Sequence, residues 1–328
     1  MIFDSHISEE YQMEYGPVPG GVTIISYLQD ADEITVPGEI GGEPVVKIEP
    51  RAFAGKQVKY ISFPSSLKQI DHHAFAECRQ LARIEFPPQL ETIGNYAFYN
   101  CYGLKMIHLT PYIRSIGFGA FKNCENLSEI VQDKIEGRDI SIGSILDDLS
   151  QEIHVTMMHL YPDRDPEPAK VIFTEHTYEI VANVASMCKQ FESTEIGSGK
   201  YMRYCVGSKD VDYSKYDSMF YVLLRGDSFD TIITVAAERL MYPYALGLEA
   251  GHTYRDYIRE HAMDAAVKFL RDDSMDKLRF LVGMDVLSVQ ETDRLIDEAV
   301  AGQKADYTAL LMDYRHKHFS MADETFDL

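Results

Sequence analysis

Nowhere in the 328-residue chain do about 18 apolar residues follow one another, which excludes a conventional membrane-crossing helix. The stretch from Met1 to Tyr15 is mixed and acidic. It lacks the basic start and apolar middle of a secretory leader, so the sequence predicts a cytoplasmic protein. Cysteine is scarce: five in all, an odd number at low density, which argues against a disulfide-stapled scaffold and for free thiols. Basic residues are short too, with 31 Lys and Arg against 52 Asp and Glu and a formal charge of −21. Nucleic acid and anionic membranes are bound chiefly through Lys and Arg, so neither is expected as a partner, and a charged partner should be basic. Residues 1–131 hold only 16 acids against 10 bases, so most of the acidity lies in the second half.

The catalytic signatures are missing as well. There is no H-E-x-x-H, no G-x-S-x-G, no paired C-x-x-C and no dinucleotide fingerprint. Gly199-Lys200 suggests a phosphate loop, but Thr194 stands where the first glycine is required and Tyr201 where Ser or Thr is required. The Asp and Tyr residues from Asp210 to Tyr221 lack the spacing of a calcium loop and read as a solvated acidic loop. His316 and His318 are too few for a metal and suit the negative end of a helix instead. The expectation is therefore no enzyme, no catalytic residue, no metal and no cofactor.

What the chain does contain is repetition. Ile48, Ile70, Ile93 and Ile116 each stand five residues before Phe53, Phe75, Phe98 and Phe121, and an alanine precedes each phenylalanine. Val58, Leu81, Leu104 and Leu127 lead into Ile61, Ile84, Ile107 and Ile130, with Phe63, Phe86 and Leu109 two positions later. A unit of about 23 residues cannot enclose its own apolar face, so neighbouring units must stack into one solenoid core. Leu81-x-x-Ile84-x-Phe86 and its copies space a short strand with alternate residues inward, and Pro64, Pro87 and Pro111 end the ladders because proline offers no N–H. Cys78, Cys101 and Cys124 share one register. Their spacing permits either a buried packing ladder or bridging and redox chemistry, and burial is the better reading for cysteine.

Together, I-x-x-P, I-G-x-x-A-F and C-x-x-L over residues 34–131 resemble the BspA-like class of leucine-rich repeat proteins. The copies depart from the pattern where Asp71 and Glu49-Pro50 replace the glycine and where Gly55 stands in for the later cysteines. The first turn therefore reads as a divergent cap, preceded by an opening hairpin around Gly20-Gly21. Some BspA-like relatives are secreted adhesins, and that reading would require an export signal upstream of Met1.

With Ile84 and Phe86 inward, Arg83 and Glu85 must point outward. By the same alternation Glu33 and Thr35, Tyr60 and Ser62, Met106 and His108, and Glu129 and Val131 form two outward columns. Tyr60, Ser62, Arg83, Glu85, Met106, His108 and Glu129 are the candidate partner-binding residues, since Tyr, Arg and Met are favoured at interfaces. An ordinary solvated sheet face is the plainer alternative. His72-His73 sits at a variable, exposed repeat position.

After residue 131 the register disappears. Residues 132–230 read as a linking α/β segment, with a loop at Pro162–Pro168 and a flexible turn at Gly197-Ser198-Gly199. From Thr231 to residue 319 the pattern is helical. Thr253–Asp256 and Ser288–Glu291 read as capping boxes that fix two helix starts. Tyr254, Ile258, Ala262, Ala265 and Phe269 share one face, and Ala305, Ala309, Leu310 and Tyr314 give the last helix. This part resembles helical, ankyrin-like tails found behind BspA-like repeats, a likeness that implies no known chemistry. Residues 320–328 read as a flexible acidic tail.

The fold class expected is thus α+β: a leucine-rich repeat solenoid over 1–131, the α/β segment over 132–230 and a helical stack over 231–319. The function expected is a non-catalytic scaffold for protein or peptide. The rival is an enzyme or small-molecule binder with its pocket in residues 146–230, recognisable by convergent buried polar groups.

Overall fold

The computed structural model of the protein describes residues 5–183 and 190–319. The tail expected at 320–328 and the fifth cysteine, Cys188, lie outside the described residues. Two compact units emerge, Met1–Gly226 and Asp227–Leu328.

The first unit is a β-solenoid. Along one side, strands Glu33–Thr35, Tyr60–Ser62, Arg83–Glu85, Met106–Leu109, Glu129–Ile135 and Ile153–Leu160 run parallel, and Glu167–Phe173 closes the sheet antiparallel. Along a second side, Glu43–Ile48, Gln69–Ile70, Thr92–Ile93 and Ser115–Ile116 pair in parallel behind the opening antiparallel strands His6–Ser8, Met13–Val18 and Gly21–Tyr27. The third side has no strand, yet it is also hydrogen-bonded from turn to turn. Phe53 N donates to Ala74 O, Phe75 N to Ala97 O and Phe98 N to Ala120 O, each at 2.8 Å. Every coil thus satisfies its backbone through its neighbours, which is why strands of two to four residues suffice in the middle of the stack.

The interior is the expected ladder of rings. Phe53, Phe75, Phe98 and Phe121 stack at centroid spacings of 4.8, 5.2 and 5.3 Å. Tyr27 extends the ladder below Phe53 at 5.5 Å, a position that carries no repeat motif in the sequence. The cysteines are free, buried thiols that knit adjacent turns. Cys78, Cys101 and Cys124 donate to the carbonyls of Phe53, Phe75 and Phe98 at 3.1, 3.2 and 3.3 Å. Burial pushes the Cys78 and Cys124 thiols up to about 12, far from the thiolate that disulfide or redox chemistry needs.

Several sequence expectations change here. Gly55 does not hold the cysteine register: with φ of 74° it belongs with Glu77, Asn100 and Asn123, which share the left-handed conformation, and Lys56 stands at the cysteine position. The strand ladder does not stop at 131 either. Ile153–Leu160 pairs in register with Glu129–Ile135, so sheet pairing runs on without the Ala-Phe turn that made earlier copies legible. In place of that turn, Asp148 Oδ2 accepts from Phe121 N at 3.3 Å and Gln151 Nε2 donates to Cys124 O at 2.9 Å. Gly197-Ser198-Gly199 is a tight packing point. A Cβ on Gly199 would lie 2.0 Å from Thr174 O, and the buried Ser198 hydroxyl is 2.8 Å from Thr174 Oγ1. The supposed acidic loop contains the helix Tyr213–Ser218, whose Tyr213, Tyr216 and Asp217 are buried.

The second unit is helical: Phe229–Met241, Leu248–Glu260, Ala262–Arg271, Met275–Gly283, Val289–Ala301 and Ala305–Phe319. Ser288 forms the expected capping box, accepting from Glu291 N at 3.3 Å while Glu291 Oε2 accepts from Ser288 N at 2.8 Å. Thr253 does not start a helix. It lies inside Leu248–Glu260 and donates to Glu249 O, because Gly247 already provides the extended residue before the helix. Tyr254, Ile258, Ala262, Ala265 and Phe269 are all buried, although the helix breaks at His261. In the last helix Tyr307, Leu311 and Tyr314 face inward while Ala305 and Ala309 are exposed, a face offset from the one the alanine spacing suggested.

Candidate interaction face

The alternation inside each strand dictates the outer face of the first sheet. Ile34, Ile61, Ile84, Ile107 and Ile130 are buried in the core, which forces their neighbours outward. The strand register then aligns those neighbours. Glu33, Tyr60, Arg83, Met106 and Glu129 form one column. Glu85, His108 and Val131 continue a second that begins at Thr35 and Ser62. Tyr60 is 52% exposed, an unusual position for a large ring on a strand of three residues. Ser62, Arg83, Glu85 and Glu129 are exposed, and Met106 and His108 half-buried.

The sixth parallel strand adds His154 beside Glu129 and Thr156 beside Val131, two face positions the repeat pattern did not reveal. The signal was present as the alternation of Ile153, Val155 and Met157 with His154, Thr156 and Met158.

Much of the charge on this face is neutralised within it. Arg83 Nη2 meets Glu85 Oε1 at 2.5 Å, and His154 Nε2 lies 3.0 Å from Glu152 Oε1. His108 Nε2 lies 3.1 Å from Asp133 Oδ1, and this hydrogen bond raises the imidazole above its ordinary value against the pull of partial burial. Glu33 and Glu129 have no cationic partner among the described residues. What remains is a mixed surface: Tyr60, Met106 and Val131 as apolar contacts, closed ion pairs between them, and two open carboxylates.

The buried polar groups of residues 146–226 have a different role. Arg203 donates to the carbonyls of Leu146, Gln151, Thr174 and Gly199 at 2.7 to 3.3 Å, and burial lowers its guanidinium to about 10. His159 Nε2 lies 3.1 Å from the Tyr213 hydroxyl, both buried. Arg203 thus ties four backbone carbonyls together, and His159 and Tyr213 engage each other. Among the described residues no group of three or more His, Cys, Asp and Glu could hold a metal ion, and no helix is long and apolar enough to cross a membrane.

Coils of about 23 residues, a parallel strand per coil and a shared ring ladder define a leucine-rich repeat solenoid. Residues 46–141 match the family described as BspA type leucine rich repeat region, in six copies, and this region of the chain is a BspA-type leucine-rich repeat. No curated protein matches it. Among solved structures, the Treponema leucine rich repeat protein from T. pallidum is 28% identical over 40% of this chain and 76% of that one, with a TM-score of 0.33. A leucine rich cell surface protein from Faecalibacterium prausnitzii is 23% identical over 39% of this chain and 36% of its own, with a TM-score of 0.35. A leucine-rich repeat protein from Bacteroides capillosus is 21% identical over 38% of this chain and 96% of its own, with a TM-score of 0.34.

Proposed function

We propose that the chain is a non-catalytic scaffold that binds a protein or peptide on the outer strand face, through Tyr60, Ser62, Arg83, Glu85, Met106, His108 and Glu129. The observation that carries this reading is the alignment of Tyr60, Arg83 and Met106 in one register across a hydrogen-bonded sheet, with Tyr60 half open to solvent. A sheet fixes such side chains before any partner arrives, so little order is lost on binding. Tyr, Arg and Met supply the contact types that dominate interface energies. The open carboxylates of Glu33 and Glu129, together with the charge of −21, favour a partner with basic side chains beside an apolar contact. The engagement of Arg203, Ser198 and His159 with neighbouring protein groups speaks against the rival pocket in residues 146–230.

The test is affinity capture with the full chain beside a variant carrying Tyr60→Ala, Arg83→Ala and Met106→Ala. A partner captured by the native chain should fall at least about tenfold in the variant. Equal recovery by both, with the circular dichroism of the variant unchanged, would remove this face from consideration.

A further inference from the structure

The second sheet of the solenoid carries a cleft of different chemistry. Its strands Gln69–Ile70, Thr92–Ile93 and Ser115–Ile116 turn their isoleucines toward the core and place Gln69, Thr92 and Ser115 in register on the other side. Immediately after the last two strands come Gly94 and Gly117. A Cβ on Gly94 would lie 2.5 Å from His72 N, and one on Gly117 2.4 Å from Asn95 N, so the closeness of successive coils forbids a side chain at either place. Over these strands and glycines lies a shallow, open cleft of about 380 Å³, bordered by Asp71, His72 and Asn95. That volume lies at the small end of the range for ligand sites.

The cleft is lined by hydrogen-bonding groups, among them the Asp71 carboxylate, which is paired with Lys47 at 3.1 Å. The Gln69 amide and the Thr92 and Ser115 hydroxyls have no side-chain partner among the described residues. Asn95 Oδ1 accepts from Phe118 N at 2.9 Å, which leaves its NH₂ group to a ligand. Beside the cleft stands Phe118, 69% exposed, held edge to face against Tyr96 at 5.7 Å. Tyr96 is itself fixed, packed over Gly119 and stacked on His73 at 5.2 Å. Phe118 adds nothing to the core; the equivalent positions of the two preceding coils hold His72 and Asn95.

We propose that this cleft binds a neutral carbohydrate, a short oligosaccharide whose ring lies on Phe118 and whose hydroxyls meet Gln69, Thr92, Ser115 and Asn95. A sugar ring presents slightly positive C–H groups on one face, which suit the negative face of an aromatic ring. Its hydroxyls both donate and accept, as do amides and side-chain hydroxyls. Other ligand classes fit less well. A phosphate needs unengaged Lys or Arg, and the adjacent Lys47 is bound to Glu49 and Asp71 at 3.0 and 3.1 Å. An extended peptide needs an open strand edge of some length, and the edge at this cleft, Ser115–Ile116, is only two residues long. The proposal does not rest on the strand-face reading, which concerns the other sheet.

The full chain, labelled with ¹⁵N, is titrated with maltotriose, lactose and diacetylchitobiose while amide shifts are followed. At least one sugar should give saturable shifts centred on Thr92–Asn95 and Ser115–Phe118. Phe118→Ala should weaken that binding about tenfold with the remaining spectrum unchanged. The triple strand-face variant should leave it intact. Absence of saturable shifts with all three sugars, shifts centred elsewhere, or unchanged affinity in Phe118→Ala would overturn the proposal. So would shifts at these amides with a lysine tripeptide and none with the sugars.

Discussion

His108 and Asp133 lie on neighbouring strands, two positions out of register, and their side chains meet diagonally with Nε2 3.1 Å from Oδ1. The pair crosses the outer face between two coils and makes that face sensitive to proton concentration.

The hydrogen bond and the charge of Asp133 favour the imidazolium, with Glu85 adding to the same direction, so His108 titrates above its ordinary value of 6.5. A group raised on folding contributes stability that is complete below its unfolded value and is lost as pH climbs through the folded one. Proton NMR of His108 should show the elevated value in the native chain and a lower one in Asp133→Asn. The stability difference between the two chains should shrink as pH rises through that value. Identical titration curves would refute the pairing.

Two phenylalanines in adjacent coils should behave in opposite ways. Phe98 is fully buried between Phe75 and Phe121, so Phe98→Ala removes a ring from both stacks and leaves a cavity. Urea unfolding should record a loss of about 3–5 kcal/mol. Phe118→Ala, at an exposed site, should stay within about 0.5 kcal/mol. Comparable losses would contradict the ladder.

Capping offers a second contrast. Ser288→Ala deletes an acceptor for Glu291 N and should cost about 1 kcal/mol. Thr253→Ala, inside its helix, should cost far less and could be neutral, since alanine is the better helix former. Thermal unfolding of the two variants decides between this assignment and a helix start at Thr253.

What the sequence made legible follows the same physics. Ile84, Phe98 and Cys101 were readable because each performs the same task in every coil, and repetition turns a weak local pattern into a strong one. The outward positions of Tyr60, Arg83 and Met106 followed from strand alternation alone. Tyr27 and Asp148 were not readable, since each substitutes once for a repeated group at an end of the stack. The turn at Ser198 reads as flexible in the sequence because its rigidity comes from Thr174 and Arg203, 24 residues before it and 5 after it. Thr253 had the right spacing to an acid but lay downstream of a glycine that had already opened the helix.

Tyr216 brings a last consequence. Its hydroxyl accepts from Ile172 N at 2.8 Å and donates to Ile172 O at 2.9 Å, on the outermost strand of the sheet. One phenol thereby occupies both backbone groups of Ile172 on that rim. A foreign strand laid along this edge would find that one residue already satisfied, so a single oxygen closes one position of the rim to further pairing.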